Sequence, residues 1–152
     1  MDMSYQEKST LGSLLIMAAV YGWYFAKAYR HLGQSQFDSG TLGRLMGTVI
    51  VIIVIEIVYH ILLALDYSGA PQKDERDLLI DGKAYRVAYF TMFSGMSLVI
   101  AWLILAGLVG ESLPGKISVA PFLMVNIVLL VLVLTELLKF AAQLFYYRWG
   151  VR

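Results

Sequence analysis

Apolar residues occur in four long runs along the chain, separated by shorter polar stretches. Residues 9–26, 87–110 and 117–135 carry no charged side chain, and residues 45–65 carry only Glu56 and His60 among their apolar neighbours. A helix needs roughly 20 mostly apolar residues to cross a bilayer. The pattern therefore predicts an all-α protein, a four-transmembrane-helix bundle that forms one integral membrane domain over residues 1–152. The predicted spans are about 9–28, 45–65, 86–110 and 117–146.

Composition supports a membrane protein, since 59% of the residues are hydrophobic and only 15% are charged. Soluble domains carry about 25% charged residues. The net charge of +1 gives no basic footprint for nucleic acid, and the lack of cysteine excludes disulfides and thiolate metal sites. The first apolar run is not expected to be a secretory signal, because Asp2, Glu7 and Lys8 precede it in place of a positive segment.

The distribution of lysine and arginine predicts the orientation. Four spans place both termini and the inner loop, residues 66–85, on one side of the membrane. That side holds Lys8, Lys73, Arg76, Lys83, Arg86, Lys139, Arg148 and Arg152, and the other side holds only Lys27, Arg30, Arg44 and Lys116. Because positively charged loops stay in the cytoplasm, both termini are predicted to be cytoplasmic, in a bacterial or archaeal inner membrane.

The inner loop is the longest polar stretch, and it contains both a turn signal and a helix start. Pro71 marks a turn, and Asp74 or a neighbour can cap a helix that leads directly into the third span. The acidic run Asp74–Asp77 suits a solvated helix N-terminus. Alternatively, Asp74, Glu75, Arg76 and Asp77, together with Arg148 in the tail, would form a docking surface for a partner.

Glu56 and His60 are the most informative residues of the sequence. Eleven uncharged residues precede Glu56 in its span, and His60 lies one helical turn further on the same face. An ionised carboxylate there costs a few kcal/mol or more, so it should be neutral, paired or hydrated. The pair could respond to protons, contact a polar ligand, form half a metal site, or simply fix helix packing. Metal is disfavoured, because diiron bundles use Glu-x-x-His on two helices, and here Glu-x-x-x-His occurs once.

Glu136 allows two interpretations. Lys139 follows it by three residues, so the two can form an ion pair near the inner end of the fourth span. Alternatively, Glu136 faces the bundle and joins a polar cluster that contains Glu56, His60, Asn126 or Gln143. The predicted ligand- or proton-binding set is therefore Glu56, His60, Glu136 and Asn126.

The chain resembles a group of small, uncharacterised four-helix prokaryotic membrane proteins in two segments, DERDLLIDGKAYRVAYF from Asp74 and ELLKFAAQLFYYRWG from Glu136. In that group an Asp-Glu-Arg-Asp inner loop leads into the third span, and a Tyr-Arg-rich tail follows a fourth-span glutamate. The resemblance implies no particular activity. Because some members are encoded beside helix-turn-helix regulators, it implies a cytosolic regulatory protein as a partner. The pattern positions are Asp74, Glu75, Arg76, Asp77, Glu136 and Arg148.

No catalytic motif, phosphate loop or cofactor fingerprint occurs in the sequence, so neither an enzyme nor a cofactor is expected. The sequence favours a non-enzymatic membrane sensor, regulator or ligand-binding protein, in which an intramembrane Glu/His cluster responds to a proton or a small ligand. One alternative is a small proton-coupled transporter that works as a homodimer. Another is a structural subunit of a membrane complex.

Overall fold

The chain forms four α-helices in a computed structural model that describes residues 3–29, 39–67, 71–110 and 121–150. All four helices are long and apolar enough to cross a membrane. The structure therefore confirms the predicted all-helical architecture with four membrane-spanning candidates. The helices are α1, Tyr5–Ala28; α2, Ser39–Asp66; α3, Glu75–Gly110; and α4, Pro121–Trp149.

Reciprocal caps start α1 and α3. The Ser4 hydroxyl accepts a hydrogen bond from the Glu7 amide at 3.2 Å, and the Glu7 carboxylate accepts one from the Ser4 amide at 2.9 Å. Asp74 and Asp77 repeat this arrangement at the start of α3, with distances of 2.7 and 3.2 Å. Each cap satisfies amides that have no partner within the helix.

The helix expected within the inner loop is the beginning of α3 and is continuous with the third span. At 1.5 Å per residue a helix of 36 residues is about 54 Å long, whereas the hydrocarbon core of a bilayer is about 30 Å thick. The polar first turns of α3 can therefore lie outside the hydrocarbon. The helix α4 ends just before Gly150. The φ of Gly150 is 81°, which lies in the left-handed region that glycine adopts at little cost.

The main helix contacts run from α2 to α1, from α1 to α4 and from α4 to α3. The central helices are thus α1 and α4, with α2 and α3 on the two flanks. Ser4, Asp74 and Tyr147 mark one end of the bundle, which we call the terminal end. Lys27, Arg44 and Phe122 mark the other, which we call the hairpin end.

Two glycines let neighbouring helices approach closely. A Cβ on Gly12 of α1 would overlap the ring of Tyr59 on α2, and a Cβ on Gly95 of α3 would lie 2.7 Å from Val131 on α4. Elsewhere α2 and α3 expose large apolar side chains, such as Leu65 at 71% and Leu98 at 71%. Such surfaces suit contact with lipid.

Candidate functional site

The two titratable groups in the apolar stretch of α2 meet two serines of α1. The Ser13 hydroxyl donates to Glu56 Oε2 at 2.8 Å and lies 3.2 Å from His60 Nε2. The Ser9 hydroxyl lies 3.5 Å from His60 Nδ1. Glu56 Oε2 and His60 Nε2 are themselves 3.3 Å apart. We call Ser9, Ser13, Glu56 and His60 the α1–α2 polar cluster.

The antiparallel register of the two helices produces this cluster. Moving four residues forward along α1, from Ser9 to Ser13, corresponds to moving four residues back along α2, from His60 to Glu56. Residues four apart lie on the same face of a helix. The two polar pairs therefore face each other, and Glu56 lies about 15 Å along the axis from the end of α2, given 1.5 Å per residue.

Burial differs between the two titratable members of the cluster. The Glu56 side chain is 22% exposed and that of His60 is 44% exposed. Glu56 Oε1 is buried and has no hydrogen-bond partner among the residues that the structure describes, although Oε2 has two within reach. A buried oxygen without a partner costs free energy that a ligand donor could recover, and a proton on the carboxylate would remove its charge.

The polar cluster can exist in more than one protonation state with its groups still bonded. The serine hydroxyls can donate or accept, and a neutral imidazole has one donor and one acceptor nitrogen. When Glu56 is ionised and His60 is neutral, the pair carries one negative charge. One added proton removes this net charge, whether it binds to the carboxylate or to the imidazole. As a metal site the cluster is incomplete: within the described parts of the chain, no three His, Cys, Asp or Glu side chains lie close enough to share an ion.

Next to the polar cluster, Tyr59 of α2 packs closely against α1. The Tyr59 hydroxyl donates to the main-chain oxygen of Lys8 at 2.6 Å, and its ring lies directly over Gly12. At the terminal end of the same helix pair, the rings of Tyr5 and Tyr67 meet edge to face with their centroids 5.2 Å apart. These contacts hold α2 against α1 beside the cluster and at the terminal end.

Asn126 and Glu136, the other two predicted site residues, lie away from this cluster. Asn126 is buried near the hairpin end, where it accepts a hydrogen bond from the Tyr24 hydroxyl at 2.9 Å and donates to the Phe122 carbonyl at 2.8 Å. Glu136 forms an ion pair with Lys139, as the first interpretation of the sequence predicted. The structure does not bring either residue to Glu56, because α4 packs mainly on α1 and α3.

The acidic run at the start of α3 is used largely within the molecule. Asp74 and Asp77 cap the helix, and Asp77 also accepts a hydrogen bond from the Tyr147 hydroxyl at 2.9 Å. The Arg76 guanidinium donates to the Tyr147 carbonyl at 3.0 Å. Of the predicted docking residues, Glu75 and Arg148 are exposed and have no role in these contacts.

A second buried polar group lies nearby, between α3 and α4. The Gln143 amide donates to Asp81 Oδ1 at 2.8 Å, and Lys73 pairs with the other Asp81 oxygen. The Gln143 carbonyl oxygen is buried and has no partner in the described part of the chain. No local pattern in the sequence predicts that Asp81 and Gln143 meet, since they lie on different helices.

We expect Tyr147→Phe to lower the free energy of unfolding by about 1 kcal/mol, because it removes one hydrogen bond that fastens α3 to α4. Tyr146→Phe is the matched control, because the Tyr146 ring faces Lys83 and stays in place. Equilibrium unfolding in mixed detergent and dodecyl sulfate micelles would measure both variants. Equal stability of the two variants would contradict the role assigned to the Tyr147 hydroxyl.

Sequence reasoning missed Ser9 and Ser13 as members of the site. A signal was present: two hydroxyl residues lie four apart in an otherwise apolar span, matching the spacing of Glu56 and His60. Serine is common in membrane helices, where its hydroxyl can bond within its own helix. The spacing becomes informative only when α1 and α2 are known to be neighbours.

Comparison of the chain with known protein families, with characterised proteins and with solved structures finds no match. The resemblance seen in the inner loop and the tail therefore stays a prediction.

Proposed function

We propose that the protein is a non-enzymatic integral membrane sensor or regulator, in which the α1–α2 polar cluster takes up a proton or a small polar ligand and thereby sets how α2 packs against α1. The observation that carries this proposal is the contact of Glu56 and His60 with two serines across a helix interface. Within the described parts of the chain, one carboxylate oxygen of Glu56 is left buried without a partner.

Electrostatics supplies the switching force in this proposal. The Glu56–His60 pair has no net charge when it holds one proton in total, and it gains a net charge when that proton leaves or a second one arrives. A net charge in a low-dielectric setting is expensive unless water or a counter-charge reaches it. Loss of that proton, or gain of a second one, therefore favours a packing in which α2 admits water beside Glu56.

The position of α2 in the bundle makes it the element that would move. It is a flank helix, and its main contacts are with α1 alone. A shift of α2 would disturb few other contacts, and it would reach the terminal end through Tyr67, which packs on Tyr5. There the exposed Glu75 and Arg148 could report the change to a cytosolic regulatory partner.

Spin-label distances would test this proposal. The chain contains no cysteine, so labels can be placed at Leu62 on α2 and Leu98 on α3, which are 61% and 71% exposed, without a background signal. We expect the distance distribution in bilayers to differ between about pH 5 and about pH 8, and Glu56→Gln to abolish the difference.

The matched control is Glu136→Gln, which removes an intramembrane carboxylate outside the polar cluster. This variant should keep the pH response of the unmodified protein. A distribution that does not depend on pH, or a response that survives in Glu56→Gln, would count against the proposal.

The buried oxygen of Glu56 also suits the alternative, a proton-coupled transporter, since a carboxyl group that exchanges its proton could carry one with a substrate. Substrate-driven proton flux in liposomes that contain a pH-sensitive dye would favour the transporter if Glu56→Gln abolished it. An absence of flux with cations, lipophilic drugs and sugars would leave the sensor.

Topology and assembly complete the proposal. The excess of lysine and arginine at the terminal end supports cytoplasmic termini in an inner membrane. A homodimer would pack through the apolar surface of a flank helix. A single spin label at Leu62 would test this, because a defined distance between labels then arises only from two associated copies.

A further inference from the structure

A cavity of about 860 Å³ opens between α1 and α2 at the hairpin end, away from the polar cluster. Its wall is mostly apolar and includes Ala19, Val20, Trp23 and Val51. Small side chains leave the space, since an added Cβ on Gly47 would meet no atom of the described residues within 4 Å. The volume lies in the range of pockets that hold small organic ligands, roughly 300–1,000 Å³.

Two cationic side chains give the cavity its charge. Lys27 from the last turn of α1 and Arg44 from the first part of α2 both line it, and no acidic residue does so among the described lining residues. The Lys27 ammonium lies 3.8 Å from the centre of the Trp23 ring, a cation–π contact that holds the charge beside the apolar wall.

The polar groups deeper in the wall are already used within the protein. The Tyr24 hydroxyl donates to Asn126, and the Thr48 hydroxyl donates to the Arg44 carbonyl at 2.9 Å. The cavity therefore offers positive charge at its membrane-surface end and an apolar surface below it. This matches a molecule with an anionic head and a hydrocarbon chain.

We propose that this cavity binds an anionic phospholipid of the surrounding bilayer, with the headgroup phosphate between Lys27 and Arg44 and one acyl chain along Val20 and Val51. A zwitterionic phospholipid has the same acyl chain, but its net charge is zero. Lys27 and Arg44 should therefore bind the anionic phospholipid more tightly than the zwitterionic one. This site is separate from the polar cluster, and its existence does not depend on the role proposed for Glu56.

Quenching of Trp23 fluorescence would test the site. Trp102→Phe and Trp149→Phe leave Trp23 as the single tryptophan, in a cavity wall that a bound chain would touch. Vesicles would contain brominated phosphatidylglycerol or brominated phosphatidylcholine in otherwise identical mixtures. We expect phosphatidylglycerol to quench at lower mole fractions, with a relative affinity roughly tenfold or more above that of phosphatidylcholine, given two cations near the surface.

Two variants act on the cavity by different means. Lys27→Gln with Arg44→Gln removes both charges, so phosphatidylglycerol and phosphatidylcholine should then bind with nearly equal affinity. Gly47→Leu keeps both charges but should fill the cavity, so quenching by both lipids should become weaker. Lys83→Gln with Arg86→Gln is the charge-matched control, because these residues lie near the terminal end. It should leave the preference for phosphatidylglycerol unchanged.

Three outcomes would overturn the proposal. The first is equal quenching by the two lipids in the single-tryptophan protein. The second is a preference that survives Lys27→Gln with Arg44→Gln, which would place the anionic lipid elsewhere. The third is displacement of the quencher by free oleate but not by unlabelled phosphatidylglycerol, which would identify a fatty acid in place of a phospholipid as the occupant.

Discussion

Gly12→Ala is expected to lower the free energy of unfolding by about 1–3 kcal/mol, although alanine favours a helix more than glycine does. The added methyl group would overlap the Tyr59 ring across the α1–α2 interface. Insertion of atoms into a filled space forces side chains or the backbone to shift, and that cost exceeds the gain in helix propensity.

Tyr59 cannot simply move aside, because its hydroxyl donates to the Lys8 carbonyl at 2.6 Å. A ring that swings away from Gly12 loses this bond, and in the membrane few other partners can replace it. If the ring stays, the two helices must separate instead. Either adjustment weakens the contact that places Ser9 and Ser13 opposite Glu56 and His60.

Gly22→Ala is the matched control, since it makes the same substitution on the same helix. A Cβ at Gly22 would meet no atom within 4 Å, so this variant should be as stable as the unmodified protein, or more stable by up to about 1 kcal/mol. Equilibrium unfolding in dodecyl sulfate would compare the two. A Gly12→Ala variant as stable as Gly22→Ala would show that the interface is looser than the structure describes.

A double-mutant cycle would show whether Gly12→Ala loses stability through its contact with Tyr59. Tyr59→Leu removes the ring and its hydrogen bond, so it should destabilise the unmodified protein. In the Gly12→Ala background the same change should cost at least about 1 kcal/mol less, because it also relieves the overlap. Additive effects would mean that the methyl group acts through something other than Tyr59.

The four helices were predictable because the bilayer sets both the length and the composition of a span. The start of α3 could also be predicted from the sequence, since the pattern Asp74–Asp77 is a capping signal that acts within one turn. Both features depend on short stretches of chain. They do not require any knowledge of which helices become neighbours.

The neighbours themselves could not be predicted in this way. In a soluble bundle each helix shows an apolar face that points to the core, but α2 is apolar nearly all round, since lipid and helix both accept isoleucine and valine. Hydrophobic periodicity then carries little information about which side packs inward. Only the polar exceptions, Glu56 and His60, indicate a buried face.

The predicted cluster illustrates this limit. Glu136 was a reasonable companion for the Glu56–His60 pair, since its depth was expected to be nearer that of His60, and the sequence could not show that α4 packs mainly on α1 and α3. Asn126 likewise bonds to Tyr24 near the hairpin end, because α1 and α4 are adjacent there. The true partners, Ser9 and Ser13, are small and common residues whose significance depends on the antiparallel register of α1 and α2.

Ser13→Ala is expected to lower the free energy of unfolding by about 1–2 kcal/mol, since it removes the hydroxyl that donates to Glu56 Oε2 at 2.8 Å. The other oxygen of that carboxylate already lacks a partner among the described residues, so of these only His60 still contacts Glu56 in the variant. Ser94→Ala, at an exposed position on α3, is the matched control and should change stability by only a few tenths of a kcal/mol.

Removing the whole polar cluster should have the opposite effect. A variant with Ser9→Ala, Ser13→Ala, Glu56→Leu and His60→Leu replaces every polar member with an apolar one, and we expect it to be as stable as the unmodified protein or more stable. Replacement of buried charged and polar groups by apolar residues of similar volume is often neutral or stabilising, because the desolvation cost disappears with the groups. The same variant should lose the pH dependence of the Leu62–Leu98 distance.

This pair of results separates a structural role from a functional one. If the cluster existed to hold α2 on α1, the fully apolar variant would unfold more easily than Ser13→Ala, and the proposal of a sensing site would lose its main support. If it exists to bind a proton or a ligand, stability survives its removal and the response does not. Glu56 then lies in the membrane at a cost in stability, which only a role in binding would justify.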